Sequence, residues 1–352
     1  MNRTFPLISV IIPCYNAEHF VESAVNSIRS QSYSNLQIIC INDCSNDKTG
    51  LILDRLSEVD PRIMVIHNKS NLKLIKTLNV GIANATGEYI ARMDSDDLSL
   101  SSRIHMQATL LIDNPNLDVI GVNPYLINHK GVELGSISDV IYTSHLVAKF
   151  ISMFNPPICH PSAMFRSSVL KKYMFRDEPE SLHVEDYDLW IRMLKEEVKM
   201  RSIDERLFLY RLNPEGVSSS NRDLQAKNHA ILSKEMIYYL TSIDIPISYL
   251  SILNRNFIDI DILELKKTIQ IFENIKVAFF SKYNVYNEMS AFKEITEWYN
   301  QRIILIMGNY LFKGSISQRM YCLYFFTKHF RILLSKFTIR NIRARFLKIL
   351  LK

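Results

Sequence analysis

Short apolar runs alternate with segments of helical periodicity along the first 125 residues of the chain. The apolar runs predict four strands, at Leu7–Ile12, Leu36–Ile41, Ile63–His67 and Tyr89–Met93, and Pro13 is expected to stop the first of them. The segments between the runs predict helices near residues 20–28, 51–58 and 74–83. Apolar strands separated by helices are typical of a parallel sheet covered on both faces. The pattern therefore predicts an α/β fold with a mainly parallel sheet flanked by helices.

The rest of the chain is different in pattern. Residues from about 130 to 220 are less regular, although EDYDLWIRMLKEE predicts a helix that starts at Glu185. From about residue 225 onward the chain reads as helical throughout, rich in aromatic and long aliphatic side chains. We therefore expect one domain at 1–222, with a nucleotide-binding half at about 1–125 and an acceptor half at about 126–222. A helical, basic C-terminal region is expected at 223–352.

Composition narrows the class of protein. Of the 352 residues, 47% are apolar and 22% are charged, which is ordinary for a globular protein and argues against disorder. Five cysteines without a CxxC pair argue against a disulfide framework and a zinc site, and indicate reduced thiols in the cytosol. The first apolar run is too short for a signal peptide, and no stretch approaches the roughly 20 apolar residues of a spanning helix.

Polar clusters follow three of the predicted strands. PCYNAE follows the first strand, NDCSND the second and MDSDD the fourth. In parallel sheets of this kind, ligands bind beyond the carboxyl ends of the strands. Because three clusters converge on one sheet edge, the sequence predicts a binding pocket there.

Three carboxylates, Asp94, Asp96 and Asp97, fall within four positions, where like charges repel one another. A divalent cation, Mg²⁺ or Mn²⁺, would offset this repulsion, since both ions accept carboxylate and phosphate oxygens. An EF-hand calcium loop is excluded, because Ser99 and His105 stand where that loop needs Gly and Glu. The alternative is that the acids cap the following helix, although one acid suffices for a cap.

No glycine-rich phosphate loop of either common type is present, so a bound nucleotide would need a metal to hold its pyrophosphate. With that absence, the motifs SVIIPCYNAE, NDCSNDKT and GEYIARMDSDD, in this order, resemble those of the family 2 glycosyltransferases. A further acidic pair, Glu185 and Asp186, is followed by Leu189 and Trp190, as in that family. The resemblance covers residues 7 to about 220 and implies the GT-A fold, a Rossmann-like mixed sheet that is mainly parallel.

The resemblance implies roles for residues on the donor side. Pro13, Tyr15 and Asn16 match the loop that packs along the nucleoside, and Glu18 would reach the base or the ribose. Asp43 matches the acid that accepts a hydrogen bond from the base edge, such as a uracil N–H.

The resemblance also implies a metal ligand and a base. Asp94 and Asp96 match the DxD pair, in which the first acid faces the ribose and the second binds the metal, with Ser95 close to the sugar phosphate. Asp186 matches the general base, and Glu185 would orient it or contact the acceptor. Inverting sugar transfer needs one carboxylate to take the acceptor proton and a Lewis acid at the departing diphosphate.

The chain departs from the family pattern at one position and leaves others open. Lys73 stands where the family commonly has Gly before the third helix. Lys76 is a candidate cation for the diphosphate, although it is also typical of a plain surface lysine. His160 is a candidate for contact with the donor phosphate or the acceptor, although a lone His is often structural. Arg211 is a candidate cation near the leaving group. Trp190 is expected to pack its helix against the sheet.

The expected function is metal-dependent inverting transfer of a sugar from a nucleotide-diphosphate sugar, a UDP-sugar by preference. The acceptor would be a glycan or a lipid-linked molecule in bacterial surface polysaccharide or lipooligosaccharide synthesis. One alternative is a nucleotidyltransferase that makes sugar nucleotides, which would need a glycine-rich basic loop that PCYNAE does not offer. Another is a non-catalytic sugar-nucleotide binder docked at the membrane, which would not need both Asp96 and Asp186.

The C-terminal segment is strongly basic. From Trp298 to Lys352 there are 11 Lys and Arg and no acid, whereas the other 31 basic residues stand against all 36 acids of the chain. Residues 339–350 place apolar and basic side chains at helical spacing, as in a helix that lies in an anionic membrane surface. We therefore expect a cytoplasmic protein at the inner face of the cell membrane, and no nucleic-acid partner. Packing against the domain or a second subunit is the alternative.

Overall fold

The structure is a computed structural model that describes residues 5–136, 143–213, 222–254 and 260–328. Its strands are β1 (Ile8–Cys14), β2 (Leu36–Asn42), β3 (Ile63–His67), β4 (Tyr89–Arg92), β5 (Leu98–Ser99), β6 (Val119–Val122), β7 (Tyr125–Ile127), β8 (Glu133–Ser136), β9 (Met164–Arg166), β10 (Met200–Ile203) and β11 (Phe208–Arg211). Its helices are α1 (Val21–Arg29), α2 (Thr49–Val59), α3 (Lys73–Asn84), α4 (Arg103–Asp113), α5 (His145–Ile151), α6 (Ser167–Tyr173), α7 (Glu185–Lys195), α8 (Arg222–Thr241), α9 (Ile247–Leu253), α10 (Ile262–Lys282), α11 (Met289–Lys313) and α12 (Ile316–Lys328).

The described residues form a mixed main sheet of seven strands in the order β10-β6-β9-β4-β1-β2-β3. Neighbouring strands are parallel except at β9, which runs antiparallel to both β4 and β6. The four strands predicted from the first 100 residues are β1 to β4, and the helices predicted between them are α1 to α3. The predicted α/β fold with a mixed, mainly parallel sheet is therefore confirmed. The antiparallel insertion of β9 lies in the region that the sequence left irregular.

Apolar contacts cover both faces of β1. Ile8, Val10 and Ile12 belong to the buried core that also contains apolar residues of α1, α2 and α4. On the other face, Ile11 lies so close to Gly81 of α3 that a Cβ at position 81 would stand 2.5 Å from its side chain. This arrangement explains why the strand is apolar at successive positions instead of alternating.

The expectation that Pro13 stops β1 is wrong, because the strand runs to Cys14 and Pro13 pairs with Ile41 of β2. Alternate residues of a strand direct their backbone groups to opposite neighbours. Ile11 faces β4 and its carbonyl accepts from Met93, so Pro13 faces the same side. The pairing with β4 ends at Ile11, so no ladder hydrogen bond is lost at the proline.

A second sheet lies next to the acidic loop that follows β4. The described residues give it four strands in the order β5-β11-β7-β8, with β11 antiparallel to β5 and parallel to β7. The loop from Asp94 to Asp97 connects β4 of the main sheet to β5 of the second sheet. Arg211 ends β11, and its backbone N–H donates to Asp97. The second sheet thus places a cation beside the carboxylates.

The chain folds into two compact units, one formed by residues 1–149 and 156–228 and the other by residues 150–155 and 229–352. The domain limits expected from the sequence, 1–222 and 223–352, stay a prediction. The second unit is helical in its described part, as the sequence predicts for the C-terminal extension. Its core is aromatic: Trp298 of α11 contacts Phe150, Phe154 and Phe272 at centroid distances of 5.4 to 6.3 Å.

Among the described residues, no helix combines the length and the apolar character needed to cross a membrane. The basic segment expected to lie on a membrane, residues 339–350, falls outside the described residues.

Candidate active site

The loops after β1 and β2 are joined by hydrogen bonds at the carboxyl edge of the main sheet. Asn16 binds the neighbouring loop twice: its N–H donates to Ser45 Oγ at 3.0 Å, and its Oδ1 accepts from the Asn46 N–H at 2.9 Å. Glu18 Oε2 accepts from the Lys48 N–H at 3.0 Å. Asn16 and Glu18 therefore fix the shape of this edge, and their expected contacts with a nucleoside stay a prediction.

The carboxylate of Asp43 is buried and holds the loop that leads into α3. Oδ1 accepts from Asn68 Nδ2 and from the Leu72 N–H, both at 2.8 Å, and Oδ2 accepts from the Lys73 N–H at 3.0 Å. Lys73 has φ +68°, the left-handed conformation that Gly adopts without strain, which explains why Gly is usual here in the family. Within the described residues, Oδ2 accepts this one hydrogen bond, and the expected contact of Asp43 with a base stays a prediction.

The side chains of Asp94, Asp96 and Asp97 each bring one carboxylate oxygen within 4.8 Å of the others. Arg92, at the end of β4, forms a bidentate ion pair with Asp94 at 2.5 and 2.9 Å. The Arg92 side chain is only 5% exposed, and its Nε has no hydrogen-bond partner among the described residues. A buried guanidinium thus offsets part of the carboxylate repulsion, and the sequence analysis did not identify it.

Burial and mutual repulsion raise the pKa values of two of these acids. The pKa of Asp96 is raised to about 6, first by burial and then by the charge of Asp94. The pKa of Asp97 is raised well above its usual range for the same two reasons, with a further contribution from Asp96. Asp97 Oδ2 is buried and has no hydrogen-bond partner in the described part of the chain.

The capping alternative for these acids does not fit the structure. Helix α4 begins at Arg103, and its N-cap residue Ser102 makes no side-chain capping bond. The hydrogen bond that Asp97 accepts comes from Arg211 of the second sheet at 2.7 Å.

Arg211 lies against the acidic loop, where its Nε and one terminal nitrogen are engaged, and its expected role near the leaving group stays a prediction. Nε donates to the Asp96 carbonyl at 2.7 Å, and one terminal nitrogen donates to the carbonyls of Asn128 and His129 at 3.0 and 3.1 Å. Its guanidinium also lies 4.7 Å from the Phe20 ring centroid. Arg211 therefore acts on Asp96 through its charge, which lowers the pKa of that carboxyl.

Glu185 and Asp186 open α7, where the helix dipole favours negative charge. Burial and the charge of Asp186 raise the pKa of Glu185 to about 7. Burial also raises the pKa of Asp186, and the charge of Asp94 adds to this shift. The N–H of Tyr187 donates to Asp186 Oδ1 at 2.8 Å and orients this carboxylate.

Asp188, the third acid of α7, is neutralised by basic side chains. Asp188 is buried and forms ion pairs with Arg176 and, at 2.8 Å, with Arg192. Among the described residues, neither Glu185 nor Asp186 has an ion pair with a basic side chain. The charge of Arg92 reaches both carboxyls and lowers their pKa values, but less than burial raises them.

The ring of His160 lies 6.3 Å from the ring of Trp190 of α7. The Trp190 ring stacks on Phe165 of β9 at 5.4 Å, so it packs its helix against the sheet as expected. The His160 ring lies 5.1 Å from that of Phe175, and its buried Nε2 has no partner within the described residues. Burial and the charge of Arg92 lower the pKa of His160 well below its usual range, so the ring is neutral.

The other candidates stay predictions. Lys76 pairs with Asp177 at 3.1 Å, and both side chains are about half exposed. Pro13 is buried at the end of β1, Tyr15 is exposed beyond it, and Ser95 is half-buried between the acids of the loop.

A second buried arginine, Arg103, supports the acidic loop from below and was also missed by the sequence analysis. It donates to the Arg92 carbonyl at 2.7 Å, to Ser99 Oγ at 2.8 Å and to Gln107 Oε1 at 3.0 Å. The signal available was the Arg in IARMDSDD and the Arg at the start of α4, both in apolar surroundings, where unpaired charge is costly.

The carboxylate cluster fits a divalent cation. Three carboxylate oxygens lie within 4.8 Å of one another, and Asp97 Oδ2 has no hydrogen-bond partner among the described residues. The pKa values of Asp96 and Asp97 are raised, so a positive charge nearby would stabilise the ionised carboxylates. Mg²⁺ and Mn²⁺ take such oxygen ligands and keep positions free for phosphate oxygens. Asp96 and Asp94 would hold the ion, and Asp94 is also paired with Arg92.

Replacing Arg92 by Met is expected to lower the free energy of unfolding by about 2 kcal/mol, less than a fully buried pair because Asp94 is partly exposed. Without the guanidinium, the repulsion among the carboxylates is opposed less, since, among the described residues, Arg211 is the remaining cation that acts on Asp96. Urea unfolding at neutral pH measures the loss, and Asp94→Asn in the same background serves as the matched control. The double variant should recover part of the stability, whereas strictly additive losses would contradict the pair.

Asp96 is expected to make the metal-free protein less stable as the pH rises. Its pKa is about 6 in the folded state, against about 3.9 in an unfolded chain. The folded state therefore binds this proton more tightly, and the free energy of unfolding falls as the pH rises from about 4 to about 6. Asp96→Asn should gain thermal stability relative to the unchanged protein over that window, measured with a chelator. A constant difference across the window would contradict the shift.

The family and its relatives agree with this site. The family model described as "Glycosyl transferase family 2" matches residues 9–174. An uncharacterized glycosyltransferase of Haemophilus influenzae is 32% identical over 256 residues, which cover 70% of this chain and 78% of that protein. The O-antigen biosynthesis glycosyltransferase WbnJ of Escherichia coli is 30% identical over 62% of this chain and 84% of its own length.

A solved structure agrees with the fold. The chain is similar to residues 1–349 of S. aureus TarS, in complex with UDP-GlcNAc, with a TM-score of 0.53 and 17% identity over 92% of each chain. That likeness shows the GT-A architecture that the main sheet predicts. With its matched motifs and relatives, the chain belongs to glycosyltransferase family 2 and is a glycosyltransferase of the GT-A fold.

Proposed function

We propose that this protein is a metal-dependent inverting glycosyltransferase that moves a sugar from a UDP-sugar to a glycan or lipid-linked acceptor of a surface polysaccharide. The observation that carries the proposal is a cluster of three acids that suits a cation, together with a separate buried acid that suits a base. Asp94, Asp96 and Asp97 cluster closely enough for a cation. Asp186 is buried, is influenced by the charge of Asp94, and has no ion pair among the described residues.

The donor would lie along the edge formed by the loops after β1, β2 and β4. The Oδ2 atom of Asp43 suits a base N–H, and Tyr15 is exposed beyond the end of β1. A UDP-sugar is favoured because an amide N–H of uracil is a suitable donor to a carboxylate, and because TarS, which shares the fold, was solved with UDP-GlcNAc.

The acceptor side would use Asp186 as the general base. Its raised pKa makes it a stronger base than an exposed carboxylate, and the Tyr187 N–H fixes its orientation. Asp186 would take the acceptor hydroxyl proton as the acceptor oxygen forms its bond to the anomeric carbon. The bond from that carbon to the diphosphate breaks, and UDP leaves with the electron pair. A bound Mg²⁺ or Mn²⁺ supplies Lewis-acid stabilisation of the diphosphate charge.

The biological acceptor is proposed by similarity. WbnJ, 30% identical to this chain, is described as an O-antigen biosynthesis enzyme, and O-antigen is a surface polysaccharide. An acceptor of this kind suits a site in which one carboxylate activates a sugar hydroxyl. A membrane-bound lipid carrier is the lipid-linked form of the same acceptor class.

A donor screen tests the reaction class. Purified protein with Mn²⁺ or Mg²⁺ and a panel of UDP-, GDP- and TDP-sugars is expected to release UDP from one UDP-sugar, measured by nucleotide detection. Chelation and Asp96→Asn should both abolish the release. Release of pyrophosphate from a nucleoside triphosphate and a sugar phosphate would instead identify a nucleotidyltransferase, and binding without release would identify a non-catalytic protein.

The two acids of α7 are expected to differ in effect. Asp186→Asn should lower the transfer rate by about 100-fold or more, the usual scale for general-base catalysis, while donor affinity stays unchanged. Glu185→Gln should cost less. Single-turnover kinetics and nucleotide binding by calorimetry separate the two effects, and the reverse ranking would show that Glu185 is the base.

A further inference from the structure

Helix α12 of the second unit has one buried face and one exposed apolar face. Gln318, Cys322 and Phe326, spaced by four residues, are buried. The opposite face carries four apolar side chains that are exposed by 51 to 81%, which we call the α12 strip: Ile316, Met320, Leu323 and Tyr324. Their spacing of four, three and one residues places them along one side of the helix. Exposed apolar groups gathered in this way mark an interaction site.

Basic residues flank the α12 strip, and acids are missing. Arg319 lies on one side of the strip and Lys328 on the other, as the helical spacing of 100° per residue requires. Arg319 is held in place because Nε donates to the Gly314 carbonyl at 2.9 Å. The sequence from Trp298 to Lys352 contains no Asp or Glu, so the 28 residues that follow the strip carry only basic charges.

We propose that the α12 strip inserts into the surface of an anionic bilayer, with Arg319 and Lys328 at the lipid headgroups. An apolar strip between basic residues is the pattern of helices that lie in a membrane interface. Basic side chains near an anionic leaflet are attracted to it, and long Lys and Arg side chains keep their charges in the headgroup layer. The membrane contact expected at residues 339–350 would then begin within the described part of the chain.

A bilayer fits this face better than a second copy of the chain. Two copies paired through their strips would bring Arg319, Lys328 and the acid-free segments into proximity, where like charges repel. The same repulsion opposes cover by the chain's own basic segment after Lys328. Anionic lipid is the occupant that matches both the apolar strip and the sign of its surroundings.

Vesicle flotation of the full chain tests the proposal. The unchanged protein is expected to float with vesicles that contain phosphatidylglycerol, not with neutral phosphatidylcholine vesicles, and less at high salt. Met320→Glu with Leu323→Glu should lower the bound fraction by about tenfold or more. The matched control is Val277→Glu with Met289→Glu, which adds the same charge at exposed apolar residues of α10 and α11 and should leave flotation unchanged. Thermal unfolding checks that both variants fold.

The other outcomes overturn the proposal. Absence of flotation by the unchanged protein, or equal flotation of the two double variants, would exclude the strip as the lipid contact. A dimer in light scattering that only the strip variant dissociates would make a second copy the occupant. Because no nucleotide is present in these assays, failure here leaves the proposed sugar transfer untouched, and UDP release in the donor screen would still be measured separately.

Discussion

The ion pair between the buried Arg92 and the partly exposed Asp94 is the interaction on which the site depends. The loop after β4 carries Asp94, Asp96 and Asp97, and the start of α7 carries Glu185 and Asp186. The charge of Asp94 raises the pKa values of the other four acids, and the charge of Arg92 lowers them. A guanidinium that is nearly out of contact with water acts over a longer range than an exposed cation, because the surroundings screen it less. The loop from Asp94 to Asp97 can therefore remain folded although it carries three carboxylates.

The fold delivers these groups through backbone contacts of neighbouring loops. Asn16 and Glu18 connect the loops after β1 and β2, and Asp43 holds the entrance to α3. Arg211 of the second sheet donates to the Asp96 carbonyl. Polar side chains that the resemblance assigned to the donor thus have a second role, since each satisfies N–H or carbonyl groups that a turn leaves unpaired. Such a pre-formed edge is held in position by contacts made before any donor arrives.

The sequence predicted the parts of this structure that follow from periodicity and composition. Strands β1 to β4 and helices α1 to α3 follow from apolar spacing, because burial on both faces of a parallel sheet demands that spacing. The antiparallel strand β9 could not be predicted, since three residues, Met164 to Arg166, give no period to read. The contact of Arg103 with the Pro161 carbonyl could not be predicted either. It depends on which segments meet in space, because Pro161 lies 58 residues from Arg103 in the sequence.

The three acids of α7 are compensated unequally, so two of them carry an electrostatic penalty that a ligand would relieve. Asp188 receives two arginines, Arg176 and Arg192, so the chain can compensate a buried acid on this helix. Glu185 and Asp186, one turn or less away, receive none among the described residues, and burial raises both pKa values. In the proposed reaction, the raised pKa of Asp186 suits a proton acceptor, and the raised pKa of Asp96 favours a positively charged neighbour. The electrostatic penalty that lowers stability would then prepare Asp186 for a proton and Asp96 for a cation.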